Sequence, residues 1–167
     1  MTDRDEFDRI LAVNDRYAES FEHSSLTATP ARGLVIVTCM DTRLDVLRAV
    51  GLDMGDAHVI RNAGGLATDD VIRSLIISQQ LLGTHEIFVI GHTGCGLLGA
   101  DEDALRDRMA SESGEALDIA FGSFDDLDAS VQASVERLRT HPWLKRVPVH
   151  GLVFDVATGR LREVTQA

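Results

Sequence analysis

The sequence predicts an α/β fold: a mainly parallel central β-sheet flanked by helices, with a C-terminal hairpin or edge strand. Three observations predict it. Short, continuously apolar runs at 33–38, 57–61 and 86–90 read as strands, and so continuous a run suits a strand buried on both faces. Segments of helical periodicity separate those runs, and strand–helix–strand alternation implies parallel pairing with crossover helices. The final stretch, 147–164, divides into two strand-like pieces around Ala157-Thr158-Gly159, a hairpin pattern.

Taken in order, Phe7, Ile10, Leu11, Tyr17 and Phe21 recur at helical spacing after an acidic start, so an amphipathic helix is expected over about residues 3–22. Residues 22–32, with several Ser and Thr and with Pro30, read as a loop. After the first strand, Leu44, Leu47 and Val50 suggest a short helix ending at Gly51. The second strand runs into Asn62-Ala63-Gly64-Gly65. Thr68 can cap the helix that follows, over about 71–82, with Asp69 and Asp70 in the dipole-favoured first turn. Residues 96–125 look irregular apart from a helix near 101–109. Leu127, Val131, Val135 and Leu138 mark a last helix over 126–138. No internal repeat or second-domain boundary interrupts the pattern, so one domain over 1–167 is expected.

A chain of 167 residues can bury a substantial single core. Its formal net charge of −11 disfavours nucleic acid and anionic membranes as partners. No apolar run reaches the roughly 18 residues of a bilayer span. The N-terminus lacks the apolar core of a secretory signal. A cytoplasmic protein is the expectation.

Chemistry concentrates at the strand ends. Cys39 follows the first buried run, and His92 and Cys95 follow the third, where open α/β sheets place their sites. Two thiolates and one imidazole form a zinc set that leaves a fourth position open. The two cysteines alone would equally fit a disulfide or simple packing. Asp41 and Arg43, two apart on a tight loop, can form a bidentate ion pair. An ordinary surface salt bridge is the competing reading.

Cys39-Met40-Asp41-Thr42-Arg43 with His92-Thr93-Gly94-Cys95-Gly96 downstream resembles the β-class carbonic anhydrases. The intervening Ala57-His58-Val59-Ile60-Arg61-Asn62-Ala63-Gly64-Gly65 is similar to that family's second signature. The match in specific motifs runs over about 33–98 and looks like the compact branch found in archaea and actinobacteria. The resemblance implies Zn2+ bound by Cys39, His92 and Cys95, with Asp41 and Arg43 as the catalytic dyad. It implies reversible hydration of CO2 to bicarbonate and a proton. It also implies a homodimer, often paired into tetramers, whose N-terminal helices embrace the neighbouring subunit. One departure is Gly91 and Gly94, where the compact branch often carries His and Asp. A glycine at 94 removes an acid from beside the metal ligands.

Zn2+ with two thiolates and a neutral imidazole sums to zero charge, so water there is less acidic than at a three-histidine site, where its pKa is about 7. Activity rising above pH 7 is expected. Asp41, kept ionised by Arg43, either orients the attacking oxygen or, in a closed state, becomes the fourth ligand itself. CO2 carries no charge, so Gly64, Gly65 and Gly96 are candidate lining residues, with Leu66 or Leu97, although Leu97 and Leu98 suit the core better. His58 and His85 flank strands and suit packing or surface positions. Two rival readings keep Cys39, His92 and Cys95 as ligands, the second adding Asp41 as a standing fourth. Hydrolysis of carbonyl sulfide or carbon disulfide uses linear, uncharged isosteres of CO2. A closed structural zinc site would be non-catalytic. A phosphatase-like cysteine nucleophile fits poorly, because such loops have five residues between Cys and Arg rather than three.

Overall fold

The computed structural model describes residues 3–164, and among them five strands form one sheet. The strands are β1 (Leu34–Cys39), β2 (Ala57–Asn62), β3 (Glu86–His92), β4 (Val149–Phe154) and β5 (Leu161–Glu163). The helices are α1 (Asp3–Glu19), α2 (Val46–Ala49), α3 (Asp69–Gln80), α4 (Glu102–Ser113) and α5 (Leu127–Thr140). A short 3-10 turn occupies Ala63–Gly65. The ends of the expected domain, at residues 1–2 and 165–167, lie outside the described residues.

Strand order is β2-β1-β3-β4-β5, parallel throughout except for the antiparallel β4–β5 pair. The chain steps from β1 outward to β2 and then returns to pair β3 on the other side of β1. Strand order therefore reverses between β1 and β3, and a crevice at their carboxyl ends is the site such sheets provide. Cys39 is the last residue of β1 and His92 the last of β3.

The two faces of the sheet are covered unequally. On one face Val35, Val37, Ile87, Val89, Val149 and Val153 pack beneath Val71 and Leu75 of α3 and Val131, Val135 and Leu138 of α5. Each such side chain contributes roughly 1.5–3 kcal/mol by leaving water. The opposite face carries a smaller cluster of Ile36, Ile90, Leu44, Val46 and Leu52. It leaves an apolar groove of about 450 Å³ lined by residues that include Leu34, Phe88, Leu152 and Leu161. Residues 4–19 of α1 are all exposed, with Phe7, Ile10 and Leu11 at 57%, 54% and 50%.

Gly91 owes its identity to the close approach of α5. A β-carbon there would lie 2.7 Å from Val131 Cγ2, and one at Gly151 on β4 would lie 3.0 Å from Val131 Cγ1. These glycines let the helix settle against the sheet. Gly91 is thus explained by packing, on the face carrying α5.

Most expected boundaries agree within a few residues, and Thr68 Oγ1 caps α3 by accepting from Val71 N at 3.4 Å. Two differ for physical reasons. His92 lies inside β3, because the β3–β4 register continues to His92 opposite Phe154. α4 extends to Ser113 rather than 109; none of its residues is buried, so no apolar stripe marked its length. It stops at Gly114, whose φ of 75° is left-handed and whose N–H returns to Ala110 O. The turn at Ala63–Gly65 rests on Gly64 and Gly65, at φ 81° and 67°.

Candidate metal centre

β1 and β3 deliver Cys39 and His92 to one end of the sheet, and the turn after β3 brings Cys95 beside them. One ligand atom from each, two sulfurs and a ring nitrogen, lie within 4.8 Å of one another. All three residues are buried, at 5%, 1% and 8% exposure. Neither cysteine forms a disulfide, which removes that reading of the pair.

The orientation of His92 is informative. Its Nδ1 lies 3.0 Å from Thr93 O, so Nδ1 carries the proton and donates it to that carbonyl. Nε2 then presents a bare lone pair, and it is a buried polar atom with no hydrogen-bond partner. A buried unsatisfied nitrogen costs about 1–3 kcal/mol unless something compensates it. Burial pushes the Cys95 thiol up, and the neighbouring Cys39 adds to the effect. A cation among these atoms would reverse that preference, drawing off the thiol protons and accepting the imidazole lone pair. A tetrahedral zinc site with two sulfurs and one nitrogen has edges of roughly 3.5–3.8 Å. With its three atoms within 4.8 Å of one another, the group fits such an ion in donor type and is compact enough to share one.

Asp41 stands at the rim with both carboxylate oxygens engaged. Oδ1 accepts from the Arg43 backbone N–H and from Nε, both at 2.9 Å, and Oδ2 accepts from Nη2 at 2.7 Å. This bidentate hold keeps Asp41 well below the usual carboxylate range, the guanidinium being the main cause, and raises Arg43 in return. Oδ2 lies 3.8 Å from His92 Nε2, so the carboxylate borders the ligand group. Arg43 Nη2 also donates to Gly94 O at 2.9 Å. Gly94 has a φ of 63°, a conformation that favours glycine and that turns its carbonyl towards the guanidinium.

Two residues of the second motif fix this arrangement, and the sequence reading gave neither a role. Arg61 donates from Nε to Cys39 O at 2.9 Å, from Nη2 to Asp41 O at 2.6 Å, and from Nη1 to Leu44 O at 3.3 Å. It thereby shapes the whole loop that carries Cys39, Asp41 and Arg43. Asn62 receives Leu66 N at 2.9 Å and donates to Leu66 O at 2.8 Å, closing the glycine turn on itself. The signal was an arginine followed by an asparagine at the carboxyl end of a strand neighbouring the Cys39 strand.

The candidate lining residues occupy different positions. Gly65 backs onto β1, where a β-carbon would lie 2.9 Å from Cys39 N. Gly64 abuts Leu97 and Leu66, and Gly96 faces open space. Leu97 and Leu98 are not among the buried core; Leu98 is 40% exposed. His58 bridges Ser78 Oγ and Ala28 O at 2.8 and 2.9 Å, which ties the loop before β1 to α3. His85 is exposed and packs against Gly33.

Comparison with known proteins agrees with this geometry. Residues 34–161 match the carbonic anhydrase family. Beta-carbonic anhydrase 1 of Mycobacterium tuberculosis is 46% identical over 159 residues, covering 95% of this chain and 97% of that protein. A carbon disulfide hydrolase of Acidithiobacillus thiooxidans is 40% identical over 152 residues, covering 78% of this chain and 76% of that protein. Among solved structures, the carbonic anhydrase of Streptococcus mutans superposes with a TM-score of 0.89 at 40% identity, covering 95% of this chain and 97% of that one.

Proposed function

The chain belongs to the β-class carbonic anhydrase family, and on that footing we propose that it hydrates CO2 reversibly to bicarbonate and a proton at a zinc ion held by Cys39, His92 and Cys95. The observation that carries the ligand assignment is His92, whose Nε2 is buried without a partner and whose ring shares a 4.8 Å neighbourhood with two thiols. When bound, the ion supplies the Lewis acidity that lets water become nucleophilic near neutral pH.

The chain's own residues supply direction and order. Asp41 accepts a hydrogen bond from the attacking oxygen and so aims that oxygen's lone pair at the carbon of CO2. Arg43 keeps the carboxylate ionised and fixes its plane through two parallel hydrogen bonds. Gly94 O and Arg61 hold the guanidinium and the loop backbone in place. The released proton leaves to solvent. A closed, non-catalytic zinc site would need Asp41 as a standing fourth ligand, and the engagement of both its oxygens by Arg43 argues for the open arrangement.

A second reading, hydrolysis of carbonyl sulfide or carbon disulfide at the same centre, is favoured by the carbon disulfide hydrolase among the relatives. Stopped-flow CO2 hydration, run beside sulfide release from both sulfur substrates on one preparation, separates the two. The expected result is CO2 hydration that rises above pH 7. Sulfide release without CO2 hydration would transfer the assignment, and a flat profile from about pH 6 to 9 would overturn the charge argument.

The proposed assembly is a homodimer or tetramer in which α1 of one copy packs on its neighbour. Support comes from the exposed apolar side of α1 and from the open groove on the sheet. The cytoplasm is the proposed compartment, since both thiols must stay reduced to act as ligands. Among the described residues no helix is long and apolar enough to cross a membrane.

A further inference from the structure

The segment 119–124 has little regular structure, yet it is held at both ends. Glu102, in the first turn of α4, accepts from Ser123 N at 2.6 Å through Oε1 and from Phe121 N at 3.3 Å through Oε2. The same Oε2 receives Arg106 Nη2 at 2.5 Å. Arg106 in turn donates from Nε and Nη2 to Ile119 O, both at 3.2 Å, and its guanidinium lies 5.8 Å from the Phe121 ring centroid. The Ser123 N–H, with lesser help from Phe121 and Arg106, holds the Glu102 carboxyl down to about 2.

From this clamp a continuous set of contacts leads to the metal centre. Phe124 N donates to Leu97 O at 3.1 Å and Gly99 N to Phe124 O at 2.8 Å, joining the segment to the turn after Cys95. Within that turn Leu98 N donates to Cys95 O at 3.1 Å. Gly122 lies against Leu66, so closely that a β-carbon would sit 2.5 Å from Leu66 Cδ1. Leu66 and Leu97 both abut Gly64, next to the Gly65 that backs Cys39. Beside them runs a groove of about 420 Å³ lined in part by Leu66, Phe121, Gly122 and Phe124.

We propose that Glu102 is a positioning residue for substrate selection: with Arg106 it pins the 119–124 segment against Leu66 and Leu97, and that spacing sets which linear, uncharged substrates reach the metal centre. The inference rests on the zinc-enzyme reading above. Sulfur is larger than oxygen, so CO2, carbonyl sulfide and carbon disulfide form a graded series of probes for the width of this apolar approach.

Glu102→Gln replaces one acceptor oxygen by a donating amide, so Ser123 N–H or the Phe121–Arg106 arm loses its partner. Hydrogen exchange should quicken about tenfold or more at the Phe121 and Ser123 amides, with zinc content unchanged. The kcat/KM for the two sulfur substrates relative to CO2 should rise about fivefold or more, chiefly through KM. Gly122→Ala, which also strains a backbone held at φ 79°, should move the ratio the opposite way by crowding Leu66, and adding Leu66→Ala should restore the ratio by removing the crowding although the backbone strain stays. If Glu102→Gln does not fold, the Gly122/Leu66 pair decides alone. Equal losses on all substrates with loosened amides would make the clamp merely structural and overturn the inference. An unchanged ratio in every variant would do the same. A wild-type chain that turns over none of the three substrates would instead defeat the zinc-enzyme reading, and this inference with it.

Discussion

Asp41 touches both halves of the site: its carboxylate is fixed by Arg43 and borders His92 at 3.8 Å. Asp41→Asn keeps the shape but weakens the bidentate pair, and a misplacement of about 1 Å at a reacting group costs on the order of 10²-fold. Turnover should fall by that factor while metal content, read by elemental analysis, stays at the wild-type value; full activity would remove Asp41 from the mechanism. The sign of its titration sharpens the expectation. A carboxyl depressed in the folded state contributes stability above its unfolded value and loses it only as pH falls through the depressed one. Asp41 is depressed by Arg43, so its ionisation is complete well below neutrality and does not account for a rise in activity above pH 7. The candidate ligands were legible because few residue types bind soft metals. Arg61 and Asn62 were not, because their work is to grip backbone carbonyls and amides whose positions only the folded loops define.

At the level of elements, legibility followed burial. β1, β3 and α5 were readable because each commits an apolar set to the larger core. No residue of α4 is fully buried, and its contacts run from Glu102 and Arg106 to the 119–124 backbone, which leaves no periodic trace. Gly91 shows the same limit at the α5–sheet contact. From the motif it looked like a change near the metal, whereas its neighbours are Val131 and Leu127. Gly91→Ala should therefore destabilise the fold by about 1–3 kcal/mol through overpacking, with an unchanged denaturant slope in urea unfolding. A loss below about 0.5 kcal/mol would show that α5 can back away from the sheet.

At the scale of the whole molecule, and among the described residues, apolar surface lies without intrachain cover on the α1 side bearing Phe7, Ile10 and Leu11 and in the groove beside Phe88, Leu152 and Leu161. Exposed patches of this kind mark association sites. Sedimentation should give at least a dimer at micromolar concentration, and Phe7→Asp combined with Ile10→Asp should shift it towards monomer; a monomeric wild type would refute the proposed assembly. Beneath that assembly lies one claim, that the reversal of strand order between β1 and β3 brings Cys39, His92 and Cys95 around a single ion. The direct measurement is zinc per chain, by elemental analysis of purified protein, for the wild type and for a folded His92→Ala variant. The account predicts a single zinc ion per wild-type chain, and in the variant a large loss of zinc together with the loss of CO2 hydration. Wild-type zinc content and full activity in the variant would contradict it.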